Sequence, residues 1–394
     1  MRIAVFGGSF DPVHKEHVAL IRAAIQSLAL DKAFIVPAFA PPHKNGKRLS
    51  ADADRLEMCR LAFSEIPNVV VSDWEIAQGG TSYTYRTCRH FREEYPTAEI
   101  FWLVGTDMLR DFPTWKNPQE ILRCVTLGVC SRAEKSEWVE EELKNFRARF
   151  GVDFQVIDYK ATDVSSTQIR VLAGAGMRLT PLVEDSVAAY IERKELYKIP
   201  FASCALALEK QSRKEHSLRV ASVAAKRAVE LGIDEKRAIA AALFHDCAKN
   251  LKKEDALLEG FVLAPEWGNV PDAVFHQFAG AYLAEKKFGV TDSEVLDAIR
   301  YHTSGRARMG ELEKLIFLAD MVESGRDFKG VETIRELFFE HSQKGVGALD
   351  ACLKEALSQT VEFLKEKGAE IYPLTIEAYK FYAKQEAIYG GNDK

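Results

Sequence analysis

The chain has 394 residues, 47% hydrophobic and 28% charged, with a formal net charge of −5. This is the composition of a folded soluble protein, too long for one ordinary domain and suited to two. It argues against a generic nucleic-acid or anionic-membrane binder, which would carry a basic excess. Seven cysteines (Cys59, Cys88, Cys124, Cys130, Cys204, Cys247, Cys352) form no Cys-x-x-Cys pair and read as reduced thiols. No apolar run approaches the ~20 residues of a membrane helix, and the N-terminus enters a strand without a signal-peptide core. A cytoplasmic protein with neither membrane nor nucleic-acid partner is expected.

Apolar segments at 3–6, 33–37, 69–71, 100–104, 125–129 and 154–157 predict strands. Amphipathic stretches at 18–28, 53–63, 84–94, 118–122, 137–150, 166–172 and 184–193 predict helices between and after them. The alternation indicates an α/β domain: a parallel sheet with helices on both faces and ligands at the carboxyl ends of its strands. From about Ala202 period-two alternation fades. Helix-period stretches at 205–231, 233–248, 270–288, 294–301, 311–322 and from Val331 onward predict an all-α domain. Pro200 sets the boundary near 196–201, giving expected domains 1–198 and 202–394, with 390–394 frayed.

Gly7-Gly8-Ser9-Phe10-Asp11-Pro12-Val13-His14-Lys15-Glu16-His17 follows the first strand. The glycines allow a tight turn and close approach to phosphate. His14 and His17 share one face of the first helical turn, where unpaired N–H groups and the helix dipole favour an anion. Two imidazoles there can bind an α-phosphate and stabilise charge as pyrophosphate leaves, chemistry that needs positioning rather than a protein nucleophile. Val164-Ser165-Ser166-Thr167-Gln168-Ile169-Arg170 repeats the design, with hydroxyls at a helix start and Arg170 one turn on. Lys44 adds a further cation, and His43 and His90 read as surface residues.

Residues 1–198 closely resemble the nicotinate/nicotinamide-nucleotide adenylyltransferase family, whose motifs include G-G-x-F-D-P-x-H-x-G-H and S-S-T-x-I-R. Pro41-Pro42-His43-Lys44, Ser82-Tyr83-Thr84, Gly105-Thr106-Asp107 and Trp115-Lys116 fall in family order. The resemblance implies a Rossmann-like, doubly wound nucleotidyltransferase domain that binds ATP with Mg²⁺. Gly7, Gly8, Ser9, His14, His17, Ser166, Thr167 and Arg170 would handle the triphosphate, with Lys44 near phosphate and Gly105 and Asp107 at ribose and adenine. Thr84 and Trp115 would contact nicotinate mononucleotide; Trp115 as a plain core residue and Asp107 as a loop cap stay open. Nicotinamide mononucleotide and phosphopantetheine remain alternative acceptors. Glu16 stands where the family has glycine. At i+2 from His14 it points to another helix face.

In the second half, His216, His245-Asp246 and Asp320 lie in apolar helical stretches. Burying imidazoles and carboxylates among Leu, Phe and Ala is costly unless something satisfies them, and a metal does. These four resemble the ligand set of the HD metal-dependent phosphohydrolases, which implies an all-helical HD domain. His276 and His302 are left over, so a second ion with Asp246 bridging is expected, a pair that would generate hydroxide and stabilise phosphoryl charge. The segments 298–305 and 318–326 resemble the branch that hydrolyses diadenosine tetraphosphate symmetrically to two ADP. That implies iron; mixed imidazole and carboxylate ligation also suits Mn or Zn. Lys249 either neutralises substrate phosphate or pairs with Asp246. Arg326 is a phosphate candidate, Arg306 and Arg308 weaker ones, and His341 reads as structural. The alternative to a second enzyme is a helical domain that senses nucleotides or oligomerises; a homo-oligomer fits either reading.

Overall fold

The computed structural model describes all residues except 43–48, 133–136, 160–163, 341–346 and 385–394. Lys44, His43, His341 and the segment expected to fray therefore lie outside the described residues, as does the side chain of Asp107. Two compact units form: Met1–Ile169 with Leu179–Leu196, and Arg170–Arg178 with Tyr197–Lys394. The short excursion 170–178 belongs to the second unit by packing.

In the first unit β1 (Arg2–Gly8), α1 (Lys15–Ser27), β2 (Lys32–Pro37), α2 (Asp52–Phe63) and β3 (Val69–Val71) alternate. Then come α3 (Trp74–Gln78), α4 (Thr84–Glu94), β4 (Glu99–Gly105), α5 (Thr106–Asp111), α6 (Pro118–Cys124), β5 (Thr126–Arg132), α7 (Glu137–Phe150) and β6 (Gln155–Tyr159). The helices α8 (Ser166–Gly174) and α9 (Asp185–Arg193) follow. The six strands are parallel in the order β3-β2-β1-β4-β5-β6, with Val5 opposite both Phe34 and Trp102. Ile3, Val5, Phe34, Val36, Ile100, Trp102 and Val104 pack on one core with Phe91 and Phe112, while Ala4, Ile35 and Phe101 between them are also buried. Both sheet faces are thus covered, as a parallel sheet requires. The order reverses between β1 and β4, the switch point at whose carboxyl ends such sheets bind ligands, and Gly8 and Gly105 end those two strands.

Gly7 and Gly8 are the last residues of β1 rather than a turn after it, paired with Val36 and Pro37. Gly7 is small for a packing reason: a Cβ would meet the Trp102 ring at 2.7 Å. The left-handed residue of the following loop is Phe10, at φ 47.

The second unit continues through α10 (Ala202–Ala207), α11 (Gln211–Leu231), α12 (Glu235–Phe244), α13 (Asp272–Lys286), α14 (Ser293–Tyr301) and α15 (Glu311–Val322). It ends with α16 (Val331–Phe338), α17 (Asp350–Glu366) and α18 (Pro373–Lys384). Ala221, Ala224, Ala225 and Ala228 of α11 and Ala238, Ala241 and Ala242 of α12 are fully buried, so small side chains let these two helices approach closely. The predicted helix 205–231 is broken at 208–210, and that over 233–248 stops at Phe244. No described helix is long and apolar enough to cross a membrane.

Candidate functional sites

At the end of β1 the chain turns so that His14 is the N-cap of α1, not a member of its first turn. The His14 N–H donates to His17 Nδ1 at 3.2 Å, and the two rings stack with centroids 3.7 Å apart. His14 is buried and its Nδ1 has no hydrogen-bond partner. Burial lowers its pKa to about 4, against an opposing pull from Glu16. The pair therefore offers a neutral, desolvated imidazole at a helix N-terminus, where an anion is favoured. Glu16, buried beside it, accepts a hydrogen bond from the Tyr159 hydroxyl at 2.7 Å at the end of β6. That bond holds its carboxylate towards the end of β6.

Ser166, the first residue of α8, donates to the Pro12 carbonyl at 2.9 Å and so ties a second helix start to the same loop. Thr167 is half-buried next to it and Ser9 half-buried in the loop. Arg170 packs in the second unit, where its buried guanidinium forms a two-point ion pair with Glu235, Nε to Oε2 at 3.0 Å. Its charge is already matched there. Gly105 ends β4 and caps α5, with no atom within 4 Å of a Cβ built on it, so a ligand can come close. Thr84 opens α4. Trp115 is 8% exposed, its ring 5.3 Å from that of Phe112 in the sheet core, so it has a packing role whatever else it touches. His90 is half-buried rather than free on the surface, stacked on Trp74 at 4.4 Å.

Glu75 escaped the sequence reading. Thr87 Oγ1 donates to its Oε1 at 2.5 Å. Burial raises its pKa, against hydrogen bonds from Thr87 and Ser82 that lower it. Ser82 Oγ in turn accepts from the Phe39 and Ala40 N–H groups at 2.9 and 3.3 Å. This network fixes the segment that leads into Thr84.

In the second unit the separated histidines and aspartates converge. Three overlapping groups, His216/His245/Asp246, His245/His302/Asp320 and Asp246/His276/His302, each present ligand atoms within 4.8 Å of one another. His245 is the C-cap of α12 and His302 that of α14, while Asp320 sits in the last turn of α15. Each capping histidine spends its Nδ1–H on a carbonyl three residues back, Ala242 at 2.6 Å and Ile299 at 2.8 Å. That leaves both Nε2 lone pairs facing the cluster, as in a ligating imidazole whose other nitrogen is held by a carbonyl. Burial lowers His245 and His276 to about 4. Burial alone would raise Asp246, but the neighbouring His245, His276 and His302 outweigh it and hold the carboxyl well below its usual range. His245 Nε2 and Asp246 Oδ1 are buried without a hydrogen-bond partner, and His276 and His302 bring their Nε2 atoms within 3.2 Å. Neutral His245 and His276 beside an ionised carboxylate, with buried ligand atoms left unpartnered, make a metal-type donor set. The residues present fit a divalent metal.

Around this cluster stand cations. Arg213 reaches Asp246 at 2.9 Å, and Arg326 pairs with Asp320 while its Nε donates to the Asp320 carbonyl at 2.8 Å. Lys249 contacts His276 Nε2 at 3.0 Å, a partner the sequence reading did not consider for it. Arg306 is engaged by Glu313 and Asp297 at 2.7 and 3.0 Å and lies over the Tyr301 ring, a bracing role; Arg308 is exposed. Two supporting residues were missed. Glu323 accepts from His216 Nδ1 at 3.0 Å and so orients that ring. Gln277 accepts the Thr303 and Ser304 N–H groups at 3.1 and 3.0 Å and fixes the turn after His302. Their signal was position alone: Glu323 is three residues from Asp320, and Gln277 is next to His276.

A doubly wound sheet with an anion-type helix start, joined to a helical unit with a His/Asp cluster, defines a nucleotidyltransferase-like domain fused to an HD domain. The family models agree: Cytidylyltransferase-like over residues 5–172 and HD domain over residues 213–325. A Mycoplasma genitalium protein named probable nicotinate-nucleotide adenylyltransferase/Ap4A hydrolase is 31% identical over 82% of this chain and 88% of its own length. An Albidiferax ferrireducens protein named probable nicotinate-nucleotide adenylyltransferase is 38% identical over 50% of this chain and 98% of its own. A solved Clostridium acetobutylicum structure, described as a predicted HD superfamily hydrolase involved in NAD metabolism, is 34% identical over 47% of this chain and 96% of that one, at TM-score 0.42. The chain belongs to the family of nicotinate-nucleotide adenylyltransferase/Ap4A hydrolases.

Proposed function

We propose that the chain carries two enzymes. The first domain, 1–198, transfers AMP from ATP to nicotinate mononucleotide, giving the deamido-dinucleotide of NAD biosynthesis and pyrophosphate. The second, 202–394, hydrolyses diadenosine tetraphosphate to two ADP. In the first reaction a phosphate oxygen of the mononucleotide attacks the α-phosphorus of ATP and the bond to the β-phosphate oxygen breaks. His14, His17, Ser166 and the α1 N-terminus receive the charge that develops on the departing oxygens. The family motifs assign Gly7, Gly8, Ser9, Thr167, Arg170 and Lys44 to the phosphates, Gly105 and Asp107 to the nucleoside, and Thr84 and Trp115 to the pyridine; Arg170 is engaged by Glu235 in the second unit. Mg²⁺ accompanies ATP.

In the helical domain His216, His245, Asp246, His276, His302 and Asp320 would hold one or two ions, with iron favoured over Mn and Zn. A bound metal there activates water and offsets phosphoryl charge. Lys249 and Arg326 face the substrate's phosphates. Asp246 stays ionised between the two ligand groups that share it. That shared, desolvated carboxylate is the observation that carries the hydrolase reading; a nucleotide sensor has no need of it. The test is a substrate screen of the wild type, His14→Ala and Asp246→Ala. His14→Ala is expected to lose pyrophosphate formation alone, with nicotinate preferred to nicotinamide mononucleotide in the wild type. Asp246→Ala is expected to lose ADP formation alone. Loss of both activities in either folded variant would overturn the two-site reading.

A further inference from the structure

The loop that precedes His14 is held from below by a residue no motif pointed to. Arg55 of α2 is fully buried. Its Nη1 donates to the Ser9 carbonyl at 2.9 Å, its Nε to the Ser50 carbonyl at 3.2 Å, and its Nη2 to the Asp52 carboxylate. The Ser50 N–H returns to Asp11 Oδ2 at 3.3 Å, so the guanidinium and this bond grip the loop on both sides of Phe10. Phe10 itself sits at φ 47, a conformation bulky residues avoid unless their surroundings impose it. Its ring packs edge-on against His17 at 5.0 Å and against Phe6 at 5.4 Å.

We propose that Arg55 is a positioning residue for the adenylyl-transfer site. By fixing the Ser9 carbonyl it sets the plane of the Ser9–Phe10 peptide, and through Phe10 the placement of the His17 ring. The peptide is planar and trans, so turning the carbonyl inward to Arg55 turns the Phe10 N–H the opposite way. Among the described residues no acceptor takes that N–H, which is then available to nucleotide phosphate. Lysine cannot replace this device, because a single ammonium lacks the planar fork that spans three acceptors.

The inference rests on the proposed ATP site, and the experiment separates the two. Binding of ATP with Mg²⁺, and separately of nicotinate mononucleotide, is measured calorimetrically for the wild type, Arg55→Met, Arg55→Lys and Asp52→Asn. Melting temperature and ADP formation from diadenosine tetraphosphate serve as folding controls. Arg55→Met is expected to weaken ATP roughly tenfold, the loss of about one charge-assisted hydrogen bond, with mononucleotide affinity changed less than about twofold. Arg55→Lys should fall between it and the wild type. Asp52→Asn keeps the guanidinium and frees only one anchor, so it stays informative if Arg55→Met does not fold; a smaller loss of ATP affinity is expected. Equal weakening of both ligands, or unchanged ATP affinity in folded Arg55→Lys and Asp52→Asn, overturns the proposal. A wild type that binds ATP yet forms no pyrophosphate defeats the functional reading and leaves the Arg55 comparison intact.

Discussion

Replacing His14 by glutamine should change how the first unit responds to acid. In the folded protein burial holds this imidazole at about 4, while in the unfolded chain it titrates near 6.5. As pH falls below 6.5 the unfolded chain takes up a proton that the folded state refuses until about 4. Folded stability is therefore lost across that window and is complete above it. Linkage gives about 2 kcal/mol lost at pH 5 relative to pH 8, approaching about 3 kcal/mol below pH 4. Glu16 and the stacked His17 are the neighbours that face the ring, and the glutamine variant keeps both. Denaturant unfolding followed by tryptophan fluorescence can read this, because Trp74, Trp102, Trp115 and Trp138 all lie in the first unit and only Trp267 in the second. His14→Gln should lose about 2 kcal/mol less than the wild type between pH 8 and pH 5. Equal losses in the two proteins would refute the assignment of His14 as a desolvated neutral group.

Asp246→Asn should cut metal content at least tenfold by elemental analysis, since it removes the one anion shared by two ligand groups; undiminished metal would exclude Asp246 as a ligand. Dialysis against a strong chelator followed by Mg²⁺ alone should restore pyrophosphate formation and not ADP formation; recovery of both would argue against a transition metal in the helical domain. Glu75→Gln should raise KM for the mononucleotide severalfold while KM for ATP stays within about twofold, a split that steady-state kinetics reads directly.

Much of this architecture was legible because burial leaves a strong periodic trace. Strands covered on both faces become unbroken apolar runs, and all six predicted strands fall within or beside observed ones. The helices at Trp74–Gln78 and Thr106–Asp111 left no such trace, being too short for a repeat. Helix ends were harder still. Leu-Phe-His-Asp-Cys-Ala-Lys contains no glycine or proline, so nothing local stops a helix at Phe244. The stop involves the His245 side chain, whose bond to the Ala242 carbonyl turns the ring towards residues brought in by other helices. The ligand types were readable as costly polar groups in apolar surroundings. Supporting residues such as Glu323 and Arg55 were not, because a charged residue in or just after a helix looks solvated until its partners fold against it.

The chain has sorted its helix ends by polarity. The starts of α1 and α8 carry residues proposed for anions, and the finishes of α12, α14 and α15 carry His245, His302 and Asp320, proposed for cations. Peptide groups neither titrate in the physiological range nor disappear on side-chain replacement. This contribution to each pocket therefore survives changes of pH and wholesale redesign of the surface, and only substitutions that unwind a terminus can take it away.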